Sequence, residues 1–153
     1  MIQLAFVVAA KTGSIFSQMI AKASHSQFSH VELWCDGPRN AARCFSSREP
    51  GGAAWMIRDL TTPEWEIVPI PRAFYDGTQD RIVEAFCWGA DGKDYDMLGL
   101  IGYKLGNGLH DDDDVFCSEV VSACLSISLG IKLPKNPWIM SPGDLYALMT
   151  QNV

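Results

Sequence analysis

Apolar positions in the first half of the chain run in short blocks or alternate, and in the second half they recur every three or four residues. "IQLAFVVA" is short, apolar and partly β-branched, the pattern of a buried strand. "TGSIFSQMIAKAS" follows with Ile15, Met19 and Ile20 at helical spacing behind a Gly-Ser opening, with Phe16 alongside, which predicts a short helix. "QFSHVELWCDG" alternates Phe28, His30, Glu32 and Trp34 on one face against Ser29, Val31, Leu33 and Cys35 on the other. It ends in "DGP", so the spacing predicts a strand closing at a turn. "NAARCFSS" reads as the strand paired across that turn, and "AAWMIRDL" and "WEIVPIP" as two more. Proline supplies no ladder donor, so Pro69 and Pro71 put the last of these at a sheet edge or at its end.

From Asp76 onward the period is helical. "GTQDRIVEAFCWGA" places Ile82, Val83, Phe86 and Cys87 on one helical face. "DYDMLGLIGYKLG" reads as a second, glycine-interrupted helix stopped by "GNG". "VFCSEVVSACL" then sets Cys117, Val120, Val121, Cys124 and Leu125 at i, i+3, i+4, i+7 and i+8, one stripe facing the interior. "SPGDLYALMTQ" closes the chain, with Ser141 as N-cap and Pro142 at the first helical position. A helix, a meander of strands and then several helices is an α+β order rather than an alternating α/β one. With no internal repeat or low-complexity linker, residues 1–153 read as a single domain.

Composition narrows the function classes. A formal net charge of −6 argues against non-specific binding to nucleic acid or to anionic membranes, which takes a basic face. No apolar run approaches the roughly 18–20 residues that span a bilayer, so stable membrane insertion is not expected. "MIQLAFVVAA" lacks the basic lead-in of a secretory signal, since Lys11 follows the apolar block, and the reading is a chain that stays in the cytoplasm. The cysteines at 35, 44, 87, 117 and 124 are odd in number and include no C-x-x-C pair. They form neither a disulfide framework nor a zinc spacing, and reduced thiols are expected, with no metal and no cofactor.

Among these thiols Cys117 stands apart. It points inward from the first turn of its helix, where unpaired backbone N–H groups favour thiolate. Cys124, two turns on, is beyond that effect and reads as core packing. A nucleophilic thiol requires a base and a group to orient that base. His30 is the best base, because the pleat of its strand fixes its direction; His25 sits at a helix end and His110 in a Gly/Asp segment. The orienting group is open between Glu32, two residues on and on the same face, and Ser46 or Ser47 on the neighbouring strand. The four aspartates at 111–114 lack the spaced ligands of a calcium loop and read as helix-start charge.

The succession "SHVEL", "YDMLGL" and "FCSEVVSACL", with the lead-in "LAFVVAAKTGSIFSQMIAKASHSQFSH", resembles the circularly permuted branch of the NlpC-type papain-like cysteine hydrolases, the YiiX-like and lecithin:retinol acyltransferase-like group. The resemblance covers roughly Leu4 to Leu129. It implies a permuted papain-like fold, with an antiparallel sheet packed on the cysteine-bearing helix. It also implies Cys117 as nucleophile, His30 as base and Tyr95 as an aromatic beside the substrate. The third polar residue of the group falls on the strand after the histidine, where this chain has Ser46 in place of Glu or His. "CFSSREPGGAAW" and "WEIVPI" are similar to phage and prophage members of the group.

The expected function is a cysteine amidase or peptidase acting through a Cys117 acyl-enzyme. Its substrate would be a peptide, a peptidoglycan fragment or an acyl lipid. The alternatives are a lipid acyltransferase or thioesterase of the same superfamily, a non-catalytic binding or assembly module that keeps the fold, and a redox thiol protein in which Cys124 or Cys44 approaches Cys117.

Overall fold

The structure, a computed structural model, describes residues 1–48, 52–92 and 116–151. The expected helix over "DYDMLGLIGYKLG", with Tyr95, His110 and the aspartates at 111–114, lies outside the described residues.

Five strands form one antiparallel sheet: β1 (Gln3–Val8), β2 (Phe28–Asp36), β3 (Ala42–Arg48), β4 (Gly52–Arg58) and β5 (Trp65–Pro69), in the order β4-β3-β2-β1-β5. The first block, buried almost throughout, takes an inner position, and β5, which ends at Pro69, takes an edge. Helix α1 (Ile15–Ala23) lies between β1 and β2 and starts at Ser14, whose hydroxyl accepts from the Ser17 N–H. Helices α2 (Asp80–Ala90), α3 (Phe116–Leu129) and α4 (Pro142–Thr150) follow the sheet. The strands precede these three helices in sequence, as α+β order requires.

One face of the sheet packs on the helices. Leu4, Phe6, Val31, Leu33 and Phe45 form a single cluster with Val120, Val121 and Leu125 of α3 and Leu145 of α4. Each fully buried side chain of this kind stabilises the packing by roughly 1.5–3 kcal/mol, so α3 is held by its whole inward stripe. The opposite face carries Ala5, Ala42, Cys44 and Leu60, with Trp34, Trp65 and Ile67 partly buried against them.

The structure departs from simple periodicity in three elements. Strand β2 does not alternate throughout. Val7 pairs with His30 and Val8 with Phe28, so an irregularity at Ser29 turns Phe28 away from the face of His30. Phe28 joins the helix-side core, against Phe6 and Tyr146. In α2 the buried stripe is Val83, Cys87 and Ala90, and Ile82 faces solvent. Ile15 and Met19 of α1 are likewise exposed, and that helix buries Ala21. Helix α4 matches its sequence signals: Ser141 caps the N-terminus and forms a reciprocal capping box with Asp144.

Candidate active site

Among the described residues, strand β2 is paired with β3 only from Leu33 to Asp36, which leaves an opening in the ladder before Leu33. Val31 lies in this opening. Its carbonyl accepts the Ser46 hydroxyl at 2.7 Å, and its N–H donates to the sulfur of Cys117. A serine side chain and the start of α3 thus replace the ladder partner that a continuing β3 would supply, and the polar backbone groups of Val31 are satisfied. Cys117 is the second residue of α3, buried, and also receives the Ser118 N–H on its sulfur.

His30 and Glu32 lie on the face of Ala5, because Ala5 pairs with Glu32 and Val7 with His30. The His30 Nε2 is 2.9 Å from Glu32 Oε1. The His30 ring also lies beside the Cys117 thiol, close enough for each to shift the protonation of the other. Glu32 is fully buried. Besides His30 it receives the Arg58 guanidinium, from Nε at 2.9 Å and from Nη2 at 2.6 Å, and the Cys44 thiol. Cys117, His30, Glu32 and Arg58 therefore form one chain of alternating charge.

Burial opposes charge on each inner member, and the partners outweigh it. The His30 imidazolium and the N–H groups of Val31 and Ser118 hold the Cys117 thiol below its ordinary value. Burial alone would lower His30, but the Cys117 thiolate and the Glu32 carboxylate push it up to about 10. Glu32 is held below the ordinary carboxylate range by His30 and Arg58 against its own burial. Both shifts favour the thiolate–imidazolium pair over the neutral thiol and imidazole, and the thiolate is the nucleophilic form of cysteine.

The expected residues divide as follows. Cys117, His30 and Glu32 are together. Ser46 is buried nearby but spends its hydroxyl on Val31, and Ser47 is also buried. Of the open choices for the group beside the imidazole, Glu32 is the one in contact. Tyr95 lies outside the described residues. Cys124 meets Cys87 and Ser128, and Cys44 meets Glu32, so the contacts of both lie elsewhere than at the Cys117 sulfur. Burial, with Glu32 beside it, pushes the Cys44 thiol up, the opposite of Cys117. Arg58 is the neighbour of this site that the sequence alone does not single out. Its only sequence signal is a lone cation on the face of Met56 at the end of an apolar strand, and the residue it meets lies two strands away.

Neither a protein-family model nor a curated protein sequence matches this chain. Among solved structures, the metalloprotein YiiX from Escherichia coli O157:H7 (DUF1105) superposes with a TM-score of 0.58 at 18% identity, over 90% of this chain and 76% of that one. The chain shares its fold with YiiX. The papain-like, YiiX-type α+β architecture expected from the order of motifs is thus the one observed. Among the described residues, no group of three or more His, Cys, Asp or Glu side chains could hold a metal ion, and no helix is long and apolar enough to cross a membrane.

Proposed function

We propose that this protein is a cysteine hydrolase in which Cys117 is the nucleophile, His30 the proton carrier and Glu32 the residue that orients His30. The observation that carries this reading is the pairing of Cys117 with His30 at a helix start, with Glu32 2.9 Å from the His30 Nε2. The Cys117 thiolate attacks a substrate carbonyl, and a C–S bond forms. The resulting oxyanion is held partly by the Cys117 backbone N–H at the start of α3. His30 gives its proton to the leaving amine or alcohol as the C–N or C–O bond breaks. It then takes a proton from water, which attacks the thioester and returns the thiolate. The substrate class is an amide of a peptide, such as a peptidoglycan fragment, or an ester or amide of an acyl lipid. If an alcohol or amine acceptor replaces water, the same site is an acyltransferase. The second reading is a non-catalytic module that keeps the fold; the contact of Glu32 with His30 speaks against it.

The test is the pH dependence of Cys117 alkylation in the parent protein and in His30→Ala. The parent is expected to react below the ordinary thiol value of 9.0, and the variant to lose that shift. A Cys117 that reacts no faster than a free thiol and ignores the loss of His30 would sink the proposal.

A further inference from the structure

The residue at the far end of the charge chain is the least accounted for. Arg58 leaves β4 opposite Ala42, on the face that also carries Cys44. Ala42 and Cys44 are small and fully buried, so the guanidinium can cross β3 above them and reach β2. There its Nε and Nη2 donate to Glu32, Nε being 3.1 Å from Oε2 as well as 2.9 Å from Oε1. Nη2 also meets the Met56 sulfur at 3.1 Å, which fixes the fork from its own strand. The Arg58 side chain is 27% exposed, whereas Glu32 has no exposure at all.

A buried carboxylate needs a countercharge at every stage of a reaction. His30 supplies one only while it is protonated. Once His30 passes its proton to a leaving group, Glu32 would be left alone and would compete for that proton. Arginine does not titrate in this range and remains a cation throughout. We infer that Arg58 is a positioning residue of this site: its fork holds the Glu32 carboxylate in place and ionised whether or not His30 carries a proton. The catalytic consequence rests on the hydrolase reading; the hold on Glu32 does not. A bidentate guanidinium also fixes the carboxylate plane, which a point charge cannot do.

The experiment compares Arg58→Met, Glu32→Gln and the double variant. In Arg58→Met the acid limb of the Cys117 alkylation profile is expected to move up by about one pH unit, about a tenfold loss of rate on that limb. In the Glu32→Gln background the same change should cost nothing or recover rate, because an unpaired cation beside His30 is then being removed. Equal losses in both backgrounds would show that Arg58 merely supports the sheet, and would overturn the inference. Arg58→Lys keeps the cation without the fork and is expected to recover only part of the rate; Arg58→Gln takes the place of Arg58→Met, with the same expected and overturning results, if the latter does not fold. In Cys117→Ser, where no thiol chemistry occurs, carbon NMR of the Glu32 carboxyl reads the hold directly. The carboxyl is expected to titrate at a higher pH in Arg58→Met than with Arg58 present. Unchanged titration would overturn the inference even if Cys117 proves to be a nucleophile. A shifted titration would uphold it even if Cys117 proves inert.

Discussion

Ser46 and Glu32 differ little as candidates on paper, yet they perform different work. The Ser46 hydroxyl closes the open edge of β2 on the Val31 carbonyl, while the Glu32 carboxylate faces the imidazole. Ser46→Ala is therefore expected to cost about 1–3 kcal/mol, the range for a buried acceptor left unpaired. Chemical denaturation measures that loss, and the Cys117 alkylation profile should keep its shape. The pH window of the site follows from the signs of the two shifts. The Cys117 value is depressed, so the thiolate persists as pH falls below the ordinary thiol range; the His30 value is raised, so the imidazolium persists up to about 10. Between these limits the charged pair should be constant, and NMR of the His30 ring should show no titration near 6.5. A ring that titrates there would show that the pair does not form.

At the scale of elements, α3 carries both Cys117, the proposed nucleophile, and the main packing stripe. Leu125 is buried and Ile127, two residues on, is 58% exposed. Leu125→Ala is expected to cost about 2–5 kcal/mol and Ile127→Ala less than about 0.5 kcal/mol, read from urea midpoints. The same helix buries Glu119 in its first turn, with Oε2 unpartnered among the described residues. Burial raises this carboxyl to about 7. Its folded value exceeds its ordinary one, so its contribution to stability is complete below 4.5 and is lost as pH rises through about 7. Glu119→Gln should remove this dependence and stabilise the protein by about 1–3 kcal/mol at pH above 8, with little effect near pH 4. Equal stability of the two proteins across that range would contradict the assignment.

Across the whole molecule, the site depends on elements distant in sequence meeting at one strand edge. The turn leading into β2 is gripped by α4: a Cβ at Gly143 would lie 2.5 Å from Ser26 Oγ and 2.8 Å from Ser26 Cβ. Ser26 in turn accepts the Phe28 N–H at 3.0 Å, which sets the start of β2. Gly143→Ala is expected to destabilise by about 1–3 kcal/mol through overpacking. Because the displaced turn leads into the strand that bears His30, thermal denaturation and the alkylation profile should both respond.

The local patterns determined much of this protein. The apolar block of β1, the capping signals at Ser14 and Ser141 and the inward stripe of α3 needed only neighbouring residues, because strand pleat and helix pitch are local geometry. They were enough to separate Cys117 from Cys124 and to single out His30. The tertiary structure decided what local geometry cannot. The irregularity at Ser29 reassigned Phe28 to the core, because aromatic burial against Phe6 and Tyr146 outweighed strict alternation. The exposure of Ile15, Met19 and Ile82 depends on which side of each helix meets the sheet, and periodicity alone does not specify that. Which polar side chain meets the imidazole depends on the separation of β3 from β2 at Val31, where Ser46 bonds to the Val31 carbonyl and Glu32 contacts His30. Arg58 became part of the site only because a buried carboxylate requires a countercharge, and the packing of β4 beside β3 brought one within reach.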